Sequence, residues 1–330
     1  MATIEERLTK LETKVTRLFT HLNLVEDPII DPDPPSDLPK PVAEGVVINA
    51  TNADALIYNP VFLKDGLFTT YVNKAGVMYL AKSPNGLNGW SLTPTNAPYG
   101  SIIYADNKWR ASAHKWSEGK VNSYYYGSED GINWAAMASD RSEYSGEDRN
   151  MIYDAGMWRQ YIRVQPKPRT IGYKESGNPT TGWTPIREVL APDSIDGPLT
   201  QFYQMSVLKT AVGYFGLVTT YRIGDFSQDV EQPPPYTGKE HTTDLQLVFS
   251  ANGKDNWQRC NSRKNFIERA SGISQIYGWW SIIGDQVLIY TGESRRRHTD
   301  YENKYNAVGN FFYSSRYKMS VTDLIKYKPA

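Results

Sequence analysis

Tyr124-Tyr125-Tyr126-Gly127-Ser128-Glu129-Asp130-Gly131-Ile132-Asn133-Trp134 runs from a β-prone segment through a glycine turn and ends on a tryptophan. The phrase recurs as Ser83-Pro84-Asn85-Gly86 with Trp90, Ser176-Gly177 with Gly182-Trp183, and Ser250-Ala251-Asn252-Gly253 with Trp257. Strand-like residues precede each copy, at 77–80, 170–173 and 245–249. One hairpin built repeatedly marks a repeat architecture. The copies begin 45, 48 and 74 residues apart, and the first two steps match one four-stranded propeller blade. A Pro-rich insertion over 224–244, read as a rim loop, lengthens the third step. A last unit, 282–321, repeats the strands without the tryptophan. The expected fold is mainly β: a five-bladed β-propeller over residues 46–330. The tryptophan of each copy is read as packing between blades, not as a functional residue.

Two different segments precede it. In residues 1–25, Ile4, Leu11, Leu18 and Val25 fall at heptad position d, and Leu8, Val15 and Leu22 at a. That pattern predicts a short coiled coil whose a and d residues lean toward trimers or tetramers. Arg7-Leu8-Thr9-Lys10-Leu11-Glu12 resembles the trimerisation signature of short coiled coils, with Arg7 at g and Glu12 at the following e. A helix of this length is marginal alone, so chain association is its expected source of stability. Residues 26–45 carry six prolines and read as an extended linker.

Composition narrows the function. Lys plus Arg and Asp plus Glu both number 36, so the chain lacks the basic surface that nucleic-acid binding needs. The single cysteine, Cys260, excludes an intramolecular disulfide and is read as a small buried residue near a strand end. His21, His114, His241 and His298 have no ligand spacing, so neither metal nor cofactor is expected. No Gly-x-Ser-x-Gly, phosphate-loop or dinucleotide fingerprint occurs. The N-terminus Met1-Ala2-Thr3-Ile4-Glu5-Glu6-Arg7 lacks an apolar signal core, and no run approaches a membrane span. Synthesis in a cytoplasm without membrane insertion is expected.

Asp148-Arg149-Asn150-Met151-Ile152-Tyr153-Asp154, Trp158-Arg159-Gln160-Tyr161-Ile162-Arg163, and Arg169-Thr170-Ile171 with Ser176 and Trp183 resemble the five-bladed propellers related to glycoside hydrolase families 43, 32 and 68. Phe202-Tyr203-Gln204-Met205 and Tyr290-Thr291-Gly292 with His298 follow the same pattern. The resemblance implies three carboxylates from successive blades at a central funnel, for base, acid and acid-orienting roles. This chain has Asn59-Pro60 where an Asp-Pro is implied, and 101–106 holds no Arg-Asp-Pro. Glu147 or Asp148 is the one well-placed acid; Asp54, Asp196 and Glu293 remain as candidates for a second.

Asp148 and Arg149 are the candidates for gripping sugar hydroxyls, or for catalysis if the chain is an enzyme. Tyr203, Tyr221, Arg222 and Trp279 are expected to line the funnel, where rings stack on sugars and guanidinium grips hydroxyls or carboxylates. Arg297 and His298, in the run Arg295-Arg296-Arg297-His298, are candidates for an acidic polysaccharide. A trimeric helix (Ile4, Arg7, Leu8, Leu11, Glu12, Val15, Leu18, Leu22), a stiff spacer and a sugar-enzyme-like domain together resemble bacteriophage head or tail fibres. The resemblance implies a virion-attached homotrimer docked on a capsid or tail protein and binding host-surface glycan. An active glycoside hydrolase or depolymerase, and a purely structural decoration protein, are the alternatives.

Overall fold

The computed structural model describes residues 38–48, 55–117, 120–142, 145–164, 168–196, 200–222, 242–295 and 312–329, without the side chains of 115–121 and 140–149. The chain divides into two units, Met1–Pro32 and Asp33–Ala330. The first, with the expected coiled coil, lies outside the described residues.

Strand β1 (Val42–Ile48) opens the described chain, and antiparallel sheets follow in sequence. Blade 1 is β2 (Ala55–Ile57) and β3 (Phe62–Lys64), both paired to β4 (Leu67–Lys74), then β5 (Val77–Ser83) and β6 (Ser91–Pro94). Blade 2 is β7 (Gly100–Ala105), β8 (Lys108–Ser117), β9 (Lys120–Ser128) and β10 (Ala135–Ser142). Blade 3 is β11 (Ser145–Asp154), β12 (Met157–Val164), β13 (Thr170–Ser176) and β14 (Arg187–Leu190). Blade 4 is β15 (Thr200–Thr210), β16 (Gly213–Arg222) and β17 (Thr242–Ser250), with β18 (Gln258–Arg259) and β19 (Asn265–Ile267) along its outer edge. Blade 5 is β20 (Gln275–Ile283), β21 (Gln286–Ser294) and β22 (Tyr313–Ser320). Its fourth strand is β1, paired antiparallel to β22.

This is the five-bladed propeller, with two corrections at its boundaries. The segment read as spacer to residue 45 already contains β1 from Val42, and the Tyr327 hydroxyl donates to the Pro39 carbonyl at 2.7 Å. The insertion read to residue 244 ends earlier, because β17 begins at Thr242. Strand β1 escaped the sequence reading because it is mostly exposed, so no apolar alternation marks it.

The core is five seams, one between each pair of neighbouring blades. Tyr71, Leu80, Ile102 and Trp109 join blades 1 and 2, and Ile103, Met151 and Trp158 join 2 and 3. Tyr161, Ile171, Phe202 and Val248 join blades 3 and 4. Leu217, Leu245, Ile276 and Trp280 join 4 and 5, while Ile57, Val72, Leu288 and Tyr290 join 5 and 1. Both faces of a middle strand are therefore buried, which accounts for uninterrupted runs such as Gly213-Tyr214-Phe215-Gly216-Leu217-Val218.

The repeated turn closes these seams. Ser83, Ser128 and Ser250 accept from the amides of Gly86, Gly131 and Gly253 at 2.9, 2.9 and 3.0 Å. Asn85, Asp130 and Asn252 accept from the next two amides (for Asp130, Ile132 at 2.7 Å and Asn133 at 2.8 Å). Each glycine carbonyl then accepts a tyrosine hydroxyl from the preceding blade: Tyr290 to Gly86 at 3.1 Å, Tyr71 to Gly131 at 2.8 Å, and Tyr161 to Gly253 at 2.7 Å. Trp134 packs on Tyr71 and Trp257 on Tyr161, each at 5.8 Å, so these tryptophans pack between blades as expected.

The tyrosine is missing where the next turn differs. Blade 2 carries Ser112 at the register of Tyr71, and the turn it faces has Pro179 in place of the glycine. There the Lys174 ammonium donates to Tyr125 at 2.9 Å, and Tyr125 stacks on Trp183. Blade 4 carries Leu217 at that register, and the equivalent turn of blade 5, Ser320-Val321-Thr322-Asp323 after β22, has no glycine. Instead Ser320 accepts from the Asp323 amide and caps a short helix, α1 (Val321–Ile325). Tyr71→Phe is expected to cost about 0.5–1.5 kcal/mol, the worth of one hydrogen bond, because the Gly131 carbonyl keeps the Trp134 indole at 3.1 Å; it is read as a lowered unfolding midpoint in urea.

The last blade is tied to the first through β1. Glu44 binds Arg316 at 2.7 Å and Lys318 at 2.9 Å, and Arg316 donates onward to the Asn85 carbonyl of the blade 1 turn at 2.7 Å. Burial pushes the Glu44 carboxyl upward, but the hydrogen bonds and charges of Lys318 and Arg316 outweigh it and hold it below the ordinary value. A group depressed on folding stabilises the native state above its unfolded pKa, and that contribution is lost as pH falls through the folded pKa. Stability should therefore drop below about pH 4, and less steeply in Glu44→Gln, as measured by thermal unfolding across pH.

Candidate functional site

The inner strands are joined by a ring of hydrogen bonds. The Asn59 side-chain oxygen accepts the Ile102 amide at 2.6 Å, Ser101 accepts Met151 at 2.9 Å, and Asn150 accepts Val207 at 2.9 Å. The Ser206 carbonyl accepts the Trp280 indole at 3.0 Å, and the Ser281 hydroxyl accepts the Val61 amide at 3.1 Å, completing the circle. Asn59 is 1% exposed. At the position where the resemblance implies the first acid, this chain has a neutral side chain whose oxygen is committed to the neighbouring blade. It holds the blades together.

The N-terminal ends of the inner strands lie on one side of this ring and form the candidate site. Tyr203 contacts Tyr221 at 5.8 Å and Tyr277 at 6.0 Å. The Arg163 guanidinium lies over Tyr203 at 4.2 Å, and Arg169 lies 5.8 Å from Tyr203 and 5.9 Å from Tyr221. Arg169 also donates to Gln201 at 2.8 Å. Tyr203 and Tyr221 thus come together as expected, but guanidinium covers ring faces that the sequence reading assigned to sugars, and Tyr221 is 3% exposed. Arg222 turns to Thr200 at 3.1 Å and to Asp244 at 3.6 Å.

Trp279 belongs to a second group. It lies 5.3 Å from Tyr58, which lies 4.3 Å from Tyr99, giving an arc of rings from blade 5, blade 1 and the entry to blade 2. Tyr99 is 50% exposed, Tyr58 half-buried and Trp279 buried. The sequence reading missed Tyr58, Tyr99, Tyr277, Arg163 and Arg169. The available signal was position: Tyr58 and Tyr99 stand ahead of β3 and β7, Tyr277 is the third residue of β20, and Arg163 and Arg169 flank the connection between β12 and β13.

The acids do not converge among the described residues. Asp196 is clamped by Arg259 at 2.6 Å and Arg263 at 3.2 Å. Asp244 is held by Arg269 at 2.7 Å. Glu293, 2% exposed, accepts from Thr291 at 2.6 Å, Tyr313 at 3.2 Å and Tyr317 at 3.4 Å. It shares a face of β21 with Ile289 and Val287, which pack against blade 4, so it faces that blade. Burial and the Glu293 charge push the Tyr313 hydroxyl up to about 12, keeping it a donor. Asp148 and Arg149 lie on β11 just before Asn150, with side chains outside the description; Asp54, Arg297 and His298 lie outside the described residues altogether. Among the described residues no group of three or more His, Cys, Asp and Glu could hold a metal.

No protein-family model and no curated protein matches this chain. Solved structures do. An alpha-L-arabinanase of Penicillium chrysogenum complexed with arabinobiose is 11% identical, with 86% of this chain and 99% of that one covered and a TM-score of 0.52. A thermostable family-43 glycoside hydrolase is 11% identical over 84% and 91% of the two chains, with a TM-score of 0.59. The chain shares their fold. A GH32 beta-fructofuranosidase of Bombyx mori, 10% identical with a TM-score of 0.53, aligns over 95% of this chain and 66% of its own. At such identities the likeness is one of architecture, not of chemistry.

Proposed function

We propose that the chain is a virion-attached, trimeric fibre protein whose propeller binds host-surface glycan at the inner-strand entrance without hydrolysing it. The observation that carries the non-catalytic reading is Asn59. Ordinary glycoside hydrolysis needs two carboxylates facing one bond, and the first-blade position is a neutral amide bonded to Ile102. The fold is one that glycoside hydrolases use, and rings and guanidinium groups surround the inner-strand entrance. The heptad over 1–25 supports trimerisation, and three sites on one particle convert weak sugar contacts into avid attachment. The N-terminal segment would dock on a capsid or tail protein.

Two measurements test this reading. Light scattering on the full chain should give three times the monomer mass, and a monomer that persists at micromolar concentration contradicts the fibre. Labelled full-length protein should bind bacterial cells more strongly than a chain beginning at residue 38, by roughly a hundredfold or more; equal binding contradicts avidity. The rival reading, a depolymerase, rests on the position of Asp148 on an inner strand.

A further inference from the structure

The chain contains three Asn-Gly pairs, Asn85-Gly86, Asn88-Gly89 and Asn252-Gly253, and the fold treats them differently. Such a pair is prone to spontaneous deamidation, because a glycine has no side chain to keep its amide nitrogen from the preceding asparagine. The reaction needs that nitrogen unengaged and the asparagine side chain able to turn toward it. In the first and third pairs neither condition holds. The Gly86 and Gly253 amides donate to Ser83 and Ser250 at 2.9 and 3.0 Å, and both glycines are buried. The Asn85 and Asn252 side-chain oxygens each accept two further amides, at 2.7–3.0 Å. In the second pair Asn88 and Gly89 are both exposed, and among the described residues nothing bonds the Gly89 amide. The Asn88 side chain accepts a single exposed hydrogen bond, from the Asn85 amide at 3.0 Å.

The repeat also shows how each product would fit. Blade 4 carries Asp255 where blade 1 carries Asn88: the Ser250 and Ser83 hydroxyls donate to the carbonyls of these residues, both at 2.5 Å. The next residue has a positive φ in each, 52 for Asn256 and 64 for Gly89, and Trp257 or Trp90 follows. Position 88 therefore accommodates aspartate. Isoaspartate instead routes the main chain through the side chain and lengthens it by a methylene just ahead of Trp90, which packs on the seam between blades 5 and 1.

We propose that Asn88 is a deamidation site, at which the chain slowly converts to aspartate and isoaspartate. The Gly89 nitrogen attacks the Asn88 side-chain carbon and a C–N bond forms. The side-chain amide takes up the proton that this nitrogen loses and leaves as ammonia, and a succinimide results. Water then opens the ring at either carbonyl. The inference stands independently of the glycan-binding reading.

The test is peptide mapping by mass spectrometry after the full chain is aged in mildly alkaline buffer, native and in urea. In the native chain Asn88 should be modified faster than Asn85 or Asn252 by roughly tenfold or more, because their turns must first open and release the glycine amide. In urea the three rates should converge. Gly89→Asn copies the blade 4 turn and suits a positive φ, and a Cβ there would meet only Pro84, at 3.5 Å. It should suppress the reaction at Asn88 and leave the circular dichroism and melting curve unaltered. Ser250→Ala should raise the rate at Asn252 by freeing the Gly253 amide. Asn88→Asp should melt like the wild type, and the isoaspartyl form should melt below it. An Asn88 that stays intact in the native chain, or that reacts no faster than Asn85 and Asn252, overturns the inference.

Discussion

Gly131→Ala should be among the most damaging single substitutions in the propeller, lowering stability by roughly 3 kcal/mol or more. Gly131 has φ +80, and an added Cβ would stand 2.8 Å from both the Trp109 indole nitrogen and the Tyr71 hydroxyl. Left-handed backbone strain and overpacking therefore add. Both neighbours are buried ring systems fixed in the blade 1–2 seam, so neither can retreat cheaply. Gly156→Ala is the control, because Gly156 has φ +77 with nothing within 4 Å of the added methyl. It should show the strain alone, about 1–2 kcal/mol. Melting curves should separate the two by several degrees, at roughly 2–4 °C per kcal/mol for a domain of this size; equal shifts would mean the turn is not the seam-closing element.

The second large effect concerns β1. A chain beginning at residue 38 keeps every described strand, whereas one beginning at residue 49 removes the outer strand of blade 5 and with it Glu44. Arg316, whose side chain is 7% exposed, then loses its carboxylate while still reaching the blade 1 turn. Removing one partner of a buried ion pair costs about 3–5 kcal/mol, and the exposed edge of β22 adds to that. The longer chain should melt cooperatively at the higher temperature. The shorter should melt roughly 10 °C or more below it, or accumulate as aggregate. Equal melting temperatures would show that β1 does not close the ring.

The blades were legible because the turn is a local device. A serine, an Asx residue and a positive-φ glycine satisfy one another within four residues, so they leave a sequence signature whatever the tertiary context. The tyrosine that receives each turn was not legible as a partner. It lies 60 residues from its glycine for Tyr71 and 204 for Tyr290, and nothing local marks it. Strand β1 was hidden for a related reason, since its pairing with β22 joins the two ends of the described chain.

The candidate site was partly legible. Tyr203 and Tyr221 do come together, but only the three-dimensional arrangement shows the guanidinium groups of Arg163 and Arg169 over them. Asn59 was noticed as a departure from the hydrolase pattern. The hydrogen bond its side-chain oxygen accepts from blade 2, which gives that departure a structural use, depends on a contact 43 residues away. Cys260, expected as a small buried residue near a strand end, is 2% exposed and follows β18 directly.

The most direct test of binding without cleavage takes both readouts from one sample. Arabino- and fructo-oligosaccharides, and polysaccharide extracted from a bacterium that the protein binds, are incubated with the full chain while bound ligand and new reducing ends are followed together. Saturable binding to at least one of them with no reducing ends above buffer is the predicted result. Reducing ends released by the wild-type chain and abolished in Asp148→Asn would contradict it.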